Sequence, residues 1–221
     1  SAASTLHFAQ FAAGGGLSSD VVVTNPSVDT EVSGEVHFFD AQGGTMNPSD
    51  ILADGANSAN FTLAPLDSVS FKSRSTGNLA QGSASITSAE PLSGVIRFDI
   101  SGTGVAGVGS SLPDFEVIVP VRRAGGLSTG AAIRNAGLEE VTVTLKLTGE
   151  GGVSVPNGEA DWTIPPQGRL SKFIQEYFPN ANTSNFTGTM TVSSPNGKVS
   201  VVGLEFEAGA RFTTLPVSPL R

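Results

Sequence analysis

Three aspartates, Asp40, Asp50 and Asp54, stand with Asn47 and Asn57 around a glycine-containing stretch early in the chain. Hard oxygen donors crowded near turns are the ligand chemistry of Ca2+, so these three carboxylates are the candidate metal ligands of the sequence. Their spacing is not that of an EF-hand, and Asp and Asn equally cap ordinary turns. Covalent catalysis has little to draw on. The chain contains no cysteine and two histidines. His7 and His37 lie far apart in strand-like runs, outside any His-Glu-x-x-His spacing. A serine nucleophile would need one of those two imidazoles as its base. The carboxylate pairs Glu139 with Glu140 and Glu205 with Glu207 read as solvated surface charge, because adjacent strand residues face opposite ways. Gly102, Gly104 and Gly107 spell the letters of a dinucleotide fingerprint. Strand periodicity and Pro113 follow where such a fingerprint requires a helix, so the stretch reads as a flexible loop. These residues lead to no catalytic site and no resident cofactor other than the candidate calcium.

The elements that hold these residues are repeated. Gly-Gly-Leu-Ser occurs at Gly15 to Ser18 and again at Gly125 to Ser128, with Asn25 and Asn135 at the same spacing beyond. The stretch 31–44 then aligns with 140–152, placing Val32, Val36 and Phe38 on Val141, Leu145 and Leu147. Residues 61–71 align with 162–173, 82–88 with 188–194, and 95–100 with 203–208. Apolar residues alternate with polar ones throughout, the signature of half-buried strands. The two copies differ by insertions, one within 45–60 of the first and one within 171–185 of the second. Insertions of this kind belong in surface loops, where binding residues concentrate. The expectation is an all-β chain of two tandem Ig-like antiparallel β-sandwich domains, 1–112 and 113–221, from an internal duplication.

Composition narrows the classes of function. The abundance of glycine, 27 residues, and of proline, 13, suits many short strands joined by tight turns. A net charge of −8 opposes nucleic-acid binding, which needs clustered Lys and Arg. The acidity is uneven, since residues 1–110 hold 10 acidic and 3 basic side chains while 111–221 hold 10 and 9. Arg122 and Arg123 follow the expected domain junction and are candidates to bridge acidic groups of the first domain. No apolar run is long enough to span a bilayer. The opening residues SAAST, without an initiator Met, read as the end left by removal of a signal peptide. With no cysteine, that start favours an extracytoplasmic bacterial location, periplasmic or at the cell surface.

The strings FAQFAAGGGLSSDVVVTNPS, SGEVHFFDAQGG, FEVIVPV, LSKFIQEYFPN, FTGTMTVSS and FTTLPV, spread over nearly the whole chain, resemble a tandem module that recurs in large bacterial secreted and cell-surface proteins. The resemblance implies an extracytoplasmic β-sandwich with a structural or interaction role. It supplies no catalytic residue. The expected partners are proteins of the bacterial envelope or surface, with the chain serving in adhesion or as an accessory subunit of a larger assembly. A carbohydrate-binding module, with glycans as partners, is the alternative. Its sugar platform would have to come from Trp162 and Tyr177, the single residues of their types, and both sit in positions that read as packing.

Overall fold

The computed structural model describes residues 4–100, 104–207 and 211–220. Strand accounts for 62% of the structure and helix for 5%, in four antiparallel sheets, so the chain is all-β and of sandwich character. It divides into two compact units, Ser1–Leu112 and Pro113–Arg221.

The first unit runs β1 (Ser4–Ala13), β2 (Leu17–Thr24), β3 (Val32–Asp40), the one-turn helix α1 (Pro48–Ile51), β4 (Asn60–Leu63), β5 (Ser68–Lys72), β6 (Ala80–Ser88), β7 (Ser93–Ile100) and β8 (Gly104–Gly109). One sheet has the order β1-β6-β3-β4 and the other β5-β2-β7-β8. Their inner faces bury Phe8, Phe11, Val36, Phe38 and Ile86 from the first sheet and Val21, Val23, Ile96 and Phe98 from the second. The rings of Phe11 and Phe38 meet at 4.8 Å. Each such side chain contributes about 1.5–3 kcal/mol through burial, which is what holds two twisted sheets face to face.

The second unit runs β9 (Glu116–Arg123), β10 (Leu127–Asn135), β11 (Val141–Gly149), β12 (Val153–Ile164), β13 (Arg169–Phe173), the one-turn helix α2 (Ile174–Tyr177), β14 (Phe186–Ser193), β15 (Val199–Glu207), β16 (Arg211–Leu215) and β17 (Ser218–Pro219). Its sheets are β12-β11-β14-β9-β17 and β13-β10-β15-β16, the same neighbour relations as in the first unit with β17 added. The core gathers Val119, Val143, Leu145, Met190 and Val192 from one sheet with Ile133 and Val201 from the other.

Two details depart from the expectation. In a constant-type immunoglobulin domain the first strand lies beside the second, whereas here β1 pairs with β6 and β2 with β7. The last aligned segment also shifts by one residue. Thr24 faces Ser93 while its counterpart Arg134 faces Ser200, so Val95 corresponds to Val202 and not to Gly203. A slip of one residue exchanges the faces of a strand, and pairing register settles it where letter similarity does not.

The repeated Asn is a buried brace. Asn25 is fully buried, and its amide nitrogen donates to the carbonyls of Thr30 at 2.8 Å, Leu63 at 3.2 Å and Ala64 at 3.0 Å. Its Oδ1 accepts from the Ser27 amide at 3.0 Å. Asn135 repeats this, donating to Glu139, Ile164 and Pro165 at 2.7, 3.2 and 3.0 Å and accepting from Gly137 at 2.8 Å. Each side chain thus ties the end of one sheet (β2 or β10) to the corner leaving β4 or β12 in the other. Opposite each brace one residue is held left-handed, Leu66 at φ 61° and Gln167 at φ 57°.

The repeated glycines serve the opposite end. Gly15 and Gly16 adopt φ 64° and 86°, and Gly125 and Gly126 62° and 82°, left-handed values that suit glycine where the chain crosses between sheets. Just beyond, the buried Ser19 hydroxyl donates to the Ala12 carbonyl at 2.7 Å and accepts from its amide at 3.0 Å. Thr129 does the same with Arg122, at 3.0 and 2.8 Å.

Replacing Asn25 or Asn135 with Ala strands several buried carbonyls, and each variant is expected to lose about 3 kcal/mol. Chemical denaturation of each variant against the parent measures this, and a loss within experimental error at both positions would refute the brace.

Candidate functional site

The structure brings the two histidines together. His7 on β1 and His37 on β3 both lie opposite Ser85 on β6, forming the row His7-Ser85-His37 across three strands. Their neighbours Phe8, Val36, Phe38, Ala84 and Ile86 point into the core, so the row lies on the outer face of the sheet. The two histidine positions are about 10 Å apart, two strand spacings. The adjacent row holds Thr5, Thr87 and Glu35. The His37 Nε2 lies 3.2 Å from the Thr87 hydroxyl and 3.8 Å from a Glu35 carboxylate oxygen. Sequence reading placed the imidazoles apart because it could not know that β1 and β3 share β6 as their common partner.

These rows combine two imidazoles, hydroxyls and a carboxylate. A nucleophile–base pair requires His nitrogen within hydrogen-bond reach of Ser85 Oγ. The His37 ring is instead engaged with Thr87 and Glu35, and Ser85 is itself buried. At His37 the geometry is that of a cross-strand polar ladder, which stabilises a sheet face.

Residues Gly126 to Gly130 read Gly-Leu-Ser-Thr-Gly, a literal Gly-x-Ser-x-Gly. A nucleophile elbow needs a sharp strand-to-helix turn. Ser128 instead lies within β10 opposite Phe206, and its own unit contains no histidine.

Each candidate calcium ligand makes a local hydrogen bond. Asp40 closes the turn after β3, its Oδ1 accepting from the amides of Gln42 and Gly44, both at 2.8 Å. Asp50 sits in the first turn of α1, where Asn47 reaches it at 3.4 Å. Asp54 accepts from the Ala56 amide at 3.0 Å. Among the described residues no group of three or more His, Asp or Glu is arranged to hold a metal ion.

Gly102 lies outside the described residues, and Gly104 and Gly107 belong to β8, so a strand occupies the place read as a flexible loop. Glu205 and Glu207 share one face of β15, opposite Thr213 and Arg211. With Leu127 and Phe212 they line an open pocket of about 200 Å³. Arg123 donates to the Thr183 hydroxyl at 2.7 Å, within its own unit.

Both insertions are used inside the fold. Ile51 and Leu52 of the first are buried, and Leu52 bridges to Ser73 just beyond β5. In the second, Ile174, Tyr177 and Phe178 are buried at the corresponding strand end. The Tyr177 hydroxyl donates to Ala131 at 3.0 Å, with Leu170 at 3.4 Å. The Trp162 ring stands edge-on to Tyr177 at 5.9 Å, and the Lys172 ammonium lies 4.9 Å from the indole. Neither aromatic is an open sugar platform. Burial pushes the Tyr177 phenol well above its ordinary range, partly offset by nearby Arg169.

Sequence periodicity gave no hint of two arginines facing each other in register, Arg134 on β10 and Arg169 on β13, both buried. Desolvation lowers each guanidinium to about 10, so both remain charged at neutral pH. Arg134 donates to the Gln167 side chain at 2.6 Å.

No protein-family model matches the chain, and no curated protein shows significant similarity to it. No helix among the described residues is long and apolar enough to cross a membrane.

Asp40→Ala removes the acceptor of two turn amides and is expected to cost about 1 kcal/mol. Calcium held by Asp40, Asp50 and Asp54 would raise the melting temperature of the parent in millimolar calcium over that in chelator, and equal melting temperatures would remove the site. A calcium-dependent rise that disappears in Asp40→Ala would instead establish a site. Tyr177→Phe should cost about 1–2 kcal/mol at neutral pH through its lost hydrogen bonds. The folded chain holds this phenol protonated while the unfolded chain releases the proton near pH 10, so its contribution is full below that pH and is lost above it. The parent should therefore lose more stability than Tyr177→Phe between pH 9 and pH 11, measured by urea denaturation; parallel losses would contradict the burial.

Proposed function

We propose that this chain is a non-catalytic structural and interaction module on the extracytoplasmic side of a bacterium, either in surface adhesion or as an accessory subunit docked on a larger envelope assembly, and that its two units arose by internal duplication. The observation that carries the reading is where the polar chemistry goes. Asn25, Asn135, Ser19 and Thr129 are buried and hydrogen-bonded to backbone, in the same pattern in both units. Polar residues spent on bracing two similar sandwiches favour a scaffold that presents its surface over one that turns over a substrate. The acidic excess of the first half supplies a surface unlike that of the second, as expected where two similar units meet different partners. Extracytoplasmic placement rests on the absence of cysteine and on the sequence resemblance.

The test is affinity purification of the native protein under mild conditions, followed by quantitative mass spectrometry. An accessory subunit is expected to bring down envelope proteins in fixed stoichiometry, and an adhesion module to bind intact cells. A protein that does neither, and that fractionates with the cytoplasm, refutes both versions.

A further inference from the structure

The strand β8 is the outer strand of its sheet, paired with β7 on one side and with no described strand on the other. Its six residues, Gly104, Val105, Ala106, Gly107, Val108 and Gly109, include neither a charge nor a proline. Edge strands ordinarily carry one of these devices, because an unprotected row of N–H and C=O groups invites another strand. Several other edges have them, although β1 and β4, the edges of the first unit's other sheet, carry no Lys, Arg, Asp, Glu or Pro. The far edge of the same sheet, β5, ends in Lys72, the counterpart β16 begins with Arg211, and β12 contains Pro156, Glu159 and Asp161. Nothing lies within 4 Å of where a Cβ would stand at Gly104 or Gly109, and Val105 is 65% exposed.

We propose that β8 is a pairing edge for a second copy of this chain, two β8 strands lying antiparallel about a twofold axis so that two four-stranded sheets become one of eight. The proposal rests on the interaction-module reading and names one of its surfaces. Side chains alternate along the strand, with Val108 buried toward the core and Val105 on the opposite face. A twofold pairing that preserves those faces must match core-side residues with core-side residues. Centring the pair on Gly107 does so. It sets Gly107 opposite its own copy, Ala106 opposite Val108, and Val105 opposite Gly109. Each valine then meets a glycine or an alanine, and no charged pair is created within the strand. The charge nearest the centre, Arg97 opposite Gly107 on β7, is already paired with Asp20 at 3.0 Å. Such self-complementarity is what an isologous contact requires. Six paired residues bury less than a standard interface, so the association is weak on its own. High salt strengthens it by screening two acidic units that approach each other.

The absence of cysteine makes the register directly testable in the full chain. A Cβ at Gly107 meets only Val95 Cγ2, at 3.7 Å, so Gly107→Cys is accommodated. Mild oxidation is expected to link this variant into covalent dimers at least about tenfold faster than Val153→Cys, a control thiol on another exposed edge, because pairing raises the local thiol concentration. Independently, sedimentation of the parent should show concentration-dependent dimer that Val105→Lys abolishes without shifting the melting temperature. Equal cross-linking at both cysteines, a parent that stays monomeric at millimolar concentration and high salt, or thiol adducts to other proteins in place of the dimer would each overturn the pairing. Failure here leaves the co-purification result standing, and failure of co-purification leaves the dimer standing, so the two readings fall separately.

Discussion

Each unit depends on a single buried amide. A sandwich needs its two sheets fixed at their corners, where the chain passes from one to the other and backbone carbonyls would be left without donors. Asn25 and Asn135 supply those donors from inside the core, each reaching three carbonyls from two separate segments. Only a short side chain carrying both a donor and an acceptor fits. Asp lacks the N–H groups, and Gln adds a methylene to a site with no spare room. The opposite end is held by a hydroxyl that closes a two-way bond between sheets, Ser19 to Ala12 and Thr129 to Arg122.

With the corners fixed, the open flank between the outer strands β4 and β5, or β12 and β13, still has to be filled. The two units fill it from different places in the chain. The first uses the insertion between β3 and β4, which delivers Ile51 and Leu52; the second uses the insertion between β13 and β14, which delivers Ile174, Tyr177 and Phe178. Loops that vary between copies are therefore not automatically recognition loops. Here part of their variation is two solutions to one packing problem.

Strand pairing also sets where the polar residues of the first unit meet. A nucleophile and its base need mutual hydrogen bonds in a cleft. Here the buried Ser85 lies between two histidine positions on the outer side of its sheet, and His37 turns to Thr87 and Glu35. The arrangement follows from strand pairing, which brings residues distant in sequence into rows whether or not they act together.

Alternation of apolar residues, glycine-rich turns and the repeated Gly-Gly-Leu-Ser and Asn spacing were sufficient to determine an all-β chain, because side-chain period and left-handed turns are local properties. The roles of Trp162 and Tyr177 as packing residues were legible for the same reason. The sequence by itself did not determine which strands pair, so it missed the order that sets β1 beside β6, the one-residue shift at β7 and β15, and the meeting of His7 with His37 across Ser85. It also could not show that Arg134 and Arg169 face each other, or that the glycine run from Gly104 is an edge strand and not a loop. Pairing and register are decided by the joint burial of two sheet faces, a property of the whole unit that no single segment encodes. The tertiary structure alone therefore determined which polar groups are spent inside the protein and which strands stand at the sheet edges.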